Sequence, residues 1–346
     1  MKNIIFVLAT SFSSLAFCSN SSTEEFIYEP TLFYQVGHYS LQNACTGRFA
    51  HSNEDRFVAQ SIKFLSQEPD ESAAVFGVFD GHGTGNVSEF LKNHFVNIFV
   101  GAAFDNPNIT QALNNTFMSV DRLARALTAK QGSTAAVAVI LGKKIYLANA
   151  GDSAVIMMMK RENQYYYYDT NDHKPLEDKE LERILRAGGI VTRTGPVARL
   201  GGNLSLSRSI GDHPKEIGLI ATPEINYKNL DQSFQTLILV SDGVTDKLSR
   251  GEIMNIALDV FYEEKSAEDA ARKIVEEARL KGSKDDITAL VVRFLWEDEE
   301  PMNATQLLAP FSQCNAQPTK KRKVEKIEKV ENQEKVLPKR RKTQNS

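Results

Sequence analysis

Aspartates recur in this 346-residue sequence where runs of apolar residues begin or end. The set is Asp55, Asp80, Asp152, Asp242 and Asp285, with Glu54 next to the first. One such Asp is usually a turn or helix-cap residue, because an unpaired carboxylate at the end of a buried strand is costly. Five of them, mostly with Gly or Ser nearby, favour a shared task over five unrelated turns.

The chemistry that suits such a set is the binding of hard divalent cations. Mg²⁺ and Mn²⁺ prefer oxygen ligands and keep several waters, and small neighbouring residues let backbone and water come close. The three cysteines, Cys18, Cys45 and Cys314, are too few and too scattered for a zinc cage or a disulfide framework. The sequence therefore predicts a metal site built from carboxylates.

These carboxylates need strands and helices to position them. Strand-like runs rich in Val, Ile, Phe and Tyr lie at 74–80, 134–141, 144–149, 154–159, 164–169, 236–241 and 287–294. Helical spacing of apolar residues occurs at 87–100, 109–130, 179–187, 250–262 and 267–281. Because several strands follow one another with short turns between them, we expect antiparallel sheets with helices packed outside. No linker interrupts 31–296, so this span is taken as one domain.

Composition and charge indicate a globular body with a separate basic tail. Apolar residues make up 42% of the chain and charged residues 25%, which excludes collagen-like, wholly disordered and multi-span membrane classes. The net charge is −3, but residues 319–346 carry +7 and the remainder −10. This asymmetry suggests chemistry in the body and targeting in the tail.

The first residues resemble a secretory signal. Residues 1–18 combine Lys2, a short apolar stretch and the small residues Ala16 and Cys18, and are too short for a membrane span. A buried strand or helix is the alternative. Residues 19–30 are polar and are interpreted as a leader.

The last residues contain two basic clusters. One comprises Lys320, Lys321, Arg322 and Lys323, and the other lies at 338–342. Clusters of this kind are typical of nuclear import signals, although a solvated tail is the alternative. The whole segment 297–346 is expected to be disordered because it is nearly free of aromatic residues.

The two ends together predict export followed by entry into the nucleus of another, host cell, with a nuclear import receptor as partner. Residence in the nucleus or cytosol of the producing cell is the alternative.

Ten short motifs occur in the order of one known family. They are N-E-D-R-F (53–57), F-D-G-H-G (79–83), G-S-T-A (132–135), N-A-G-D-S (149–153), D-H-K-P (172–175), G-G (188–189), L-S-R-S-I-G-D (206–212), T-P-E (222–224), S-D-G-V-T-D (241–246) and G-S-K-D-D-I-T (282–288). Across 31–296 the chain resembles the metal-dependent Ser/Thr protein phosphatases of type 2C. The resemblance implies an α+β fold, a four-layer αββα sandwich of two antiparallel sheets flanked by helices.

The resemblance also implies two Mn²⁺ or Mg²⁺ ions that activate a bridging water to attack phosphoserine or phosphothreonine directly. It assigns the metal ligands to Asp80, as the bridge, to the Gly81 carbonyl, and to Asp242 and Asp285, while Glu54 would act on a metal directly or through water.

Further roles follow from the same motifs. Asp55 would support these ligands, and Asp152 would help to hold a third, weaker ion. Asp246 is interpreted as the cap of the helix that follows it. His82 would donate a proton to the leaving alkoxide, a role typically worth ~10²–10⁴-fold, with a structural turn residue as the alternative.

The chain departs from the family in the grip on the substrate phosphate. Many relatives carry an Arg four residues before the first Glu, where this chain has Ala50. Arg48 is the candidate replacement, and Arg56 is a poorer one. The usual D-N-I-T becomes D-D-I-T, which adds the charge of Asp286 beside the metals. The segment 170–215 lies where relatives carry a variable flap.

Two other functions compete with an active phosphatase. One is a pseudophosphatase scaffold that binds phosphoproteins without turnover, suggested by the missing Arg but opposed by the intact carboxylates. The other is nucleic-acid binding through the basic tail. It is weaker, because the body is acidic and lacks interleaved aromatic and basic residues, so no nucleic acid is expected as a partner. No membrane span is expected either.

Overall fold

Two five-stranded antiparallel sheets form the centre of the computed structural model, which describes residues 33–42, 52–63, 72–127, 130–162, 164–212 and 215–296. The first sheet contains, in spatial order, β13 (Glu224–Asn229), β7 (Lys144–Ala150), β6 (Ala135–Leu141), β3 (Ser72–Phe79) and β2 (Arg56–Lys63). The second contains β1 (Phe33–Leu41), β15 (Ile287–Leu295), β14 (Phe234–Val240), β8 (Ala154–Arg161) and β9 (Gln164–Asp169).

Two smaller β elements lie outside these sheets. A three-stranded sheet, called here the small sheet, has the order β12 (Ile210–Gly211), β5 (Gly132–Ser133) and β4 (Gly81–His82). A hairpin is formed by β10 (Val191–Thr194) and β11 (Val197–Leu200).

Helices cover the outer faces of both large sheets. α1 (Asn86–Asp105) and α2 (Ile109–Leu127) pack on the first sheet, and α5 (Arg250–Tyr262) and α6 (Ala267–Leu280) pack on the second. α3 (Asp178–Arg186) packs with the hairpin, and α4 (Asp242–Thr245) is a single turn that follows β14. The order of layers is therefore helix, sheet, sheet, helix, which confirms the predicted α+β sandwich.

Alternation along the strands places apolar side chains on both faces of each sheet. In β6, Val137 and Val139 face the helical layer, whereas Ala138 and Ile140 belong to the core between the sheets. Phe76 of β3 lies in that same inner core. Sheets buried on both faces give nearly continuous apolar runs, which is why these strands were visible in the sequence.

All seven predicted strands and all five predicted helices are present, and most have shifted ends, whereas β9 and α5 match their predicted bounds. α1 continues five residues beyond its predicted end, because Gly101 is accommodated inside the helix. Its C-cap is Asn106, in extended conformation before Pro107, as expected for a residue that precedes proline.

The strands that sequence reasoning missed are mostly at sheet edges. β1, β2 and β13 are edge strands, and their partly exposed residues mix polar and apolar types. A half-exposed edge strand weakens the apolar signal that identifies central strands. β9, with its four consecutive tyrosines, is the remaining edge strand of the two large sheets.

The predicted signal at 1–18, the leader at 19–30 and the tail at 297–346 lie outside the described residues and remain predictions. Within the described part of the chain, no helix has the length and apolar character needed to span a bilayer.

Candidate metal and phosphate site

Five aspartates lie at one end of the sandwich, and both sheets supply them; all but the exposed Asp285 are buried or partly buried. Asp80 directly follows β3, and Asp55 directly precedes β2, both in the first sheet. Asp242 follows β14 and Asp285 precedes β15, both in the second sheet, while Asp152 lies in the turn that joins β7 to β8. Each strand end therefore places one carboxylate at the same edge, as the sequence predicted.

These five residues, called here the aspartate cluster, repel one another. Burial raises the pKa of Asp80 well above its usual range, and the charges of Asp55, Asp242, Asp152 and Asp285 raise it further. The pKa of Asp242 is raised in the same way, first by burial and then by Asp152 and Asp285. Burial raises the pKa of Asp55 to about 7, although a hydrogen bond from Ser241 acts to lower it. All five thus contribute to the electrostatics of Asp80, across the two sheets.

The cluster suits hard cations in its donor chemistry. Its donors are oxygens, those of Asp80 and Asp242 are withdrawn from water, and the charges of the cluster are mutually unfavourable. The Oδ1 atom of Asp55 is buried and has no hydrogen-bond partner among the described residues. In that same part of the chain, no three His, Cys, Asp or Glu side chains are arranged closely enough to enclose a metal ion.

Hydrogen bonds fix the backbone on which the cluster is built. The Asp80 N–H donates to Thr134 Oγ1 at 3.0 Å, and the Thr134 N–H donates back to the Asp80 carbonyl at 2.8 Å. Thr134 Oγ1 also lies 2.6 Å from the hydroxyl of Ser153, beside Asp152. These contacts join the end of β3 to the β7–β8 turn, so two acidic residues share one rigid support.

A second set of contacts anchors the first acidic motif. Ser241 donates to Asp55 Oδ2 at 2.7 Å, and the Glu54 N–H donates to Asp286 Oδ2 at 2.7 Å. The added carboxylate of Asp286 therefore accepts a backbone hydrogen bond, a structural task that the sequence did not indicate. A Cβ at Gly243 would overlap the carbonyl of Asp286, which explains the glycine after Asp242.

The backbone at Gly81 passes close to the Glu54 carbonyl and the Ser88 side chain. A Cβ there would lie 2.7 Å from both the Glu54 carbonyl and the Ser88 hydroxyl, and that hydroxyl donates to the same carbonyl. The absence of a side chain thus lets β4 pass close to the first acidic motif.

His82 has a carboxylate partner that sequence reasoning did not assign. Its Nε2 lies 2.9 and 3.0 Å from the two carboxylate oxygens of Asp212, the last residue of L-S-R-S-I-G-D. The motif was recognised, but nothing in one sequence indicates that residues 130 positions apart meet.

Lys174 is a second residue missed at the sequence level. Its Nζ lies 3.4 Å from Asp152 Oδ2 and 3.6 Å from Asp246 Oδ1. Asp246 was interpreted as the cap of the following helix, and this is wrong. Ser249 caps α5, in a reciprocal arrangement with Glu252. Asp246 instead ends α4 and faces Lys174.

Of the two arginines considered for binding the substrate phosphate, Arg56 is among the residues that the structure describes. Arg48 and Ala50 lie outside the described residues, as do Lys320, Lys321, Arg322 and Lys323. Arg56 is committed elsewhere, because it donates to Glu89 and to the carbonyls of Asn53 and Asp55 at 2.6 and 2.8 Å. This agrees with its interpretation as the poorer candidate.

The predicted flap contains a buried acidic residue of a different kind. Glu180 on α3 accepts hydrogen bonds from Arg208 at 2.6 Å, from Arg183 at 2.7 Å and from Ser207 at 2.8 Å. Burial alone would raise the pKa of Glu180, but these partners lower it to about 2. We call these four residues the Glu180 network.

Comparison with known proteins identifies the arrangement. Residues 39–287 match the family model described as protein phosphatase 2C. The chain belongs to the protein phosphatase 2C family. It is thus a protein serine/threonine phosphatase, and dependence on Mn²⁺ or Mg²⁺ is general for the family.

Individual relatives agree with this assignment. The Arabidopsis thaliana protein "Probable protein phosphatase 2C 69" is 37% identical over 265 residues, which are 75% of this chain and 72% of that protein. Among solved structures, serine-threonine phosphatase 2C from Toxoplasma gondii has a TM-score of 0.66 at 22% identity, with 78% of this chain and 96% of that one covered. A C. elegans sex determining protein has a TM-score of 0.64 at 26% identity, covering 75% of this chain and 64% of that chain.

Proposed function

We propose that this phosphatase 2C hydrolyses phosphoserine and phosphothreonine in proteins with two Mn²⁺ or Mg²⁺ ions. The proposed ligands are Asp80, Asp242, Asp285, Glu54 and the Gly81 carbonyl. When bound, such ions supply an activated water nucleophile and stabilise the charge of an in-line displacement at phosphorus. The observation that carries the proposal is the aspartate cluster, where buried carboxylates from both sheets raise one another's pKa.

The remaining cluster residues have supporting roles in this proposal. Asp55 is held by Ser241 and orients the first acidic motif. Asp152, already beside Lys174, contributes to a third and weaker ion.

His82 is proposed as the proton donor to the leaving serine or threonine oxygen. Its imidazole is 30% exposed, so a substrate can reach it, and it lies one residue from Gly81 and two from Asp80. A seryl or threonyl alkoxide is a poor leaving group and needs a proton, whereas no covalent nucleophile from the protein is required.

Arg48 is proposed to bind the substrate phosphate, because Arg56 is occupied by Glu89 and by two backbone carbonyls. A planar guanidinium offers the paired hydrogen bonds that suit a phosphate.

The test is hydrolysis of a phosphothreonine peptide by the full chain with and without Mn²⁺, compared with Asp80→Asn. Asp105→Asn, at the exposed end of α1, is the matched charge-loss control. We expect metal-dependent turnover in the wild type and in Asp105→Asn but not in Asp80→Asn. Turnover of the wild type no faster than that of Asp80→Asn would favour the scaffold function instead.

The same chain is proposed to be exported and to act in the nucleus of a host cell. The support is the signal-like segment 1–18 and the basic cluster Lys320, Lys321, Arg322 and Lys323, which would bind a nuclear import receptor.

Imaging of a tagged full chain tests this proposal. Removing 1–18 should abolish export, and replacing the four basic residues by Gln should abolish nuclear entry while leaving hydrolysis intact. A wild-type chain retained in the cytosol of the producing cell would contradict the proposal.

A further inference from the structure

The small sheet brings two chemically active side chains together across a glycine. Its central strand β5 pairs with β4 on one side and with β12 on the other. Gly132 is the register partner of His82 in β4 and of Gly211 in β12. His82 and Asp212, which follows Gly211, therefore flank a position without a side chain.

The contact across this gap is close and well supported. His82 Nε2 lies 2.9 and 3.0 Å from the two oxygens of Asp212. The Ser209 hydroxyl donates to the same carboxylate, and the Asp212 N–H donates to the Gln131 carbonyl at 2.7 Å. The Asp212 side chain is 13% exposed, so little water competes for it.

The backbone at Asp212 is unusual. Its φ is +53°, a left-handed conformation that non-glycine residues seldom adopt, although Asp tolerates it better than most. Such conformations persist only where the surrounding contacts enforce them, and they are concentrated at functional sites.

Gly132 is the second independent feature. A Cβ at this residue would fall against Asp212 Oδ2 and 2.5 Å from His82 Nε2. Its φ lies outside the left-handed region, so a side chain would be excluded here by the pair rather than by the backbone. The glycine keeps open the space in which the two side chains meet.

The pair also determines where the imidazole protons lie. Burial acts to raise the pKa of Asp212, but the hydrogen bonds from His82 and Ser209 outweigh it and lower the pKa. The ionised carboxylate only accepts hydrogen bonds, so the facing Nε2 must carry a proton. In the imidazolium form, the proton that the ring can give up is then the one on Nδ1.

We propose that Asp212 is a positioning residue that orients His82 and holds the proton on its Nε2, so that the imidazolium form delivers its other proton, from Nδ1, to the leaving alkoxide, and that Gly132 is required for this contact. The inference rests on the proposed role of His82 as proton donor. It adds two residues and a specific nitrogen to that role.

Comparing the rates on two substrates whose leaving groups differ in basicity distinguishes a loss of His82 positioning from a general loss of structure. A phosphothreonine peptide needs a proton on its leaving oxygen, whereas p-nitrophenyl phosphate leaves as a stable phenolate and needs little help. For each variant of the full Mn²⁺-loaded chain, the measured quantity is the ratio of kcat values on the two substrates.

We expect Asp212→Ala to lose about 10- to 100-fold on the peptide and no more than about threefold on p-nitrophenyl phosphate, since it removes part of a proton-donor effect of ~10²–10⁴-fold. Asp212→Asn, which retains an acceptor oxygen, should recover part of the peptide rate. Gly132→Ala should show the same selective loss without altering either partner. In the double variant His82→Ala/Asp212→Ala, the rates should equal those of His82→Ala, because Asp212 acts only through the imidazole.

The matched control is Asp121→Asn. The buried Asp121 of α2 accepts a hydrogen bond from the Gly211 N–H at 2.9 Å and pairs with Lys215 at 3.0 Å, so it holds the same loop without contacting His82. The ratio should be unchanged in this variant. A selective loss equal to that of Asp212→Ala would assign the effect to loop displacement and overturn the proposal.

The outcomes distinguish failure of this inference from failure of the proposed function. If His82→Ala affects both substrates equally, His82 is not the proton donor and both ideas are wrong. If His82→Ala is selective but Asp212→Ala and Gly132→Ala are not, only the positioning role is wrong. Should the variants fold poorly, ¹⁵N NMR of the histidine rings in the Mg²⁺-loaded wild type decides, because a neutral His82 protonated on Nδ1 alone would contradict the assigned tautomer.

Discussion

Buried carboxylates occur in two contrasting settings in this phosphatase 2C. In the aspartate cluster, burial and neighbouring negative charge raise the pKa of Asp80 and Asp242 well above the usual range. In the Glu180 network, two arginines and a serine lower the pKa of the carboxyl to about 2. The first setting is unfavourable for folding and the second is favourable. The contrast separates acidic residues kept for chemistry from those kept for structure.

The largest expected effect is the loss of catalytic rate when one carboxylate is removed from the aspartate cluster. Asp80→Asn should lower the Mn²⁺-dependent rate on a phosphothreonine peptide by at least about 10³-fold, which corresponds to about 4 kcal/mol of transition-state stabilisation. In chelator, the same variant should be at least as stable to urea as the wild type, because one repelling charge is gone. A variant that loses stability in chelator would show that Asp80 is a structural residue.

Glu180→Gln should have the opposite signature. It leaves Arg208 and Arg183 without their shared carboxylate, and breaking a buried pair in this way costs about 3 kcal/mol of unfolding free energy. Glu182→Gln, two residues along α3 in an exposed pair with Arg186, is the matched control and should cost less than about 1 kcal/mol. Equal losses in urea melts would mean that the Glu180 network has no special role.

The two settings also predict opposite dependences on pH. Asp55 has a folded-state pKa of about 7 against about 3.9 in the unfolded chain, so between pH 4 and 7 the folded state binds the extra proton. The unfolding free energy of the chelated protein should therefore fall as the pH rises, by about 2 kcal/mol between pH 5 and 7 from this residue.

The contribution of Glu180 lies in another pH window. Its folded-state pKa of about 2 means that its stabilisation is present above about pH 4.3 and is lost as the pH falls from there towards 2. Urea melts across the two ranges should show that Asp55→Asn flattens only the upper slope and Glu180→Gln only the lower one. A change in the other range would show that the two settings are coupled.

The smallest expected effect concerns Lys174. Its ammonium group partly neutralises Asp152 and Asp246, so Lys174→Gln should tighten binding of the weakest Mn²⁺ ion about fivefold, or about 1 kcal/mol for a side chain that is 41% exposed. Calorimetric titration of the chelated protein measures this. Unchanged or weaker binding would indicate that Lys174 supports the site by another route.

Sequence alone was sufficient for the central strands and for the positions of the acidic residues. Apolar runs such as β14 and β6 are buried on both faces, and the motif glycines and aspartates stand at their ends. These features depend on residues close together in the chain, which one sequence records directly.

Contacts between segments that are far apart in the chain were not predictable from the sequence alone. His82 meets Asp212 and Lys174 meets Asp152 and Asp246 only because the small sheet and the turns of the sandwich bring them together. The wrong assignment of Asp246 as a helix cap has the same origin, since its partner is 72 positions away while an alternative cap, Ser249, lies three residues downstream.

The division of the aspartates between two sheets has a mechanical consequence. Two sheets packed through apolar side chains can slide against each other without breaking backbone hydrogen bonds. A cation coordinated by Asp80 from one sheet and Asp242 from the other would cross-link them and oppose that sliding. Cation loading should then slow amide deuterium uptake in β3 and β14 together, although these strands share no ladder. The amide exchange rates of both sheets would thus depend on the cation occupancy of the aspartate cluster.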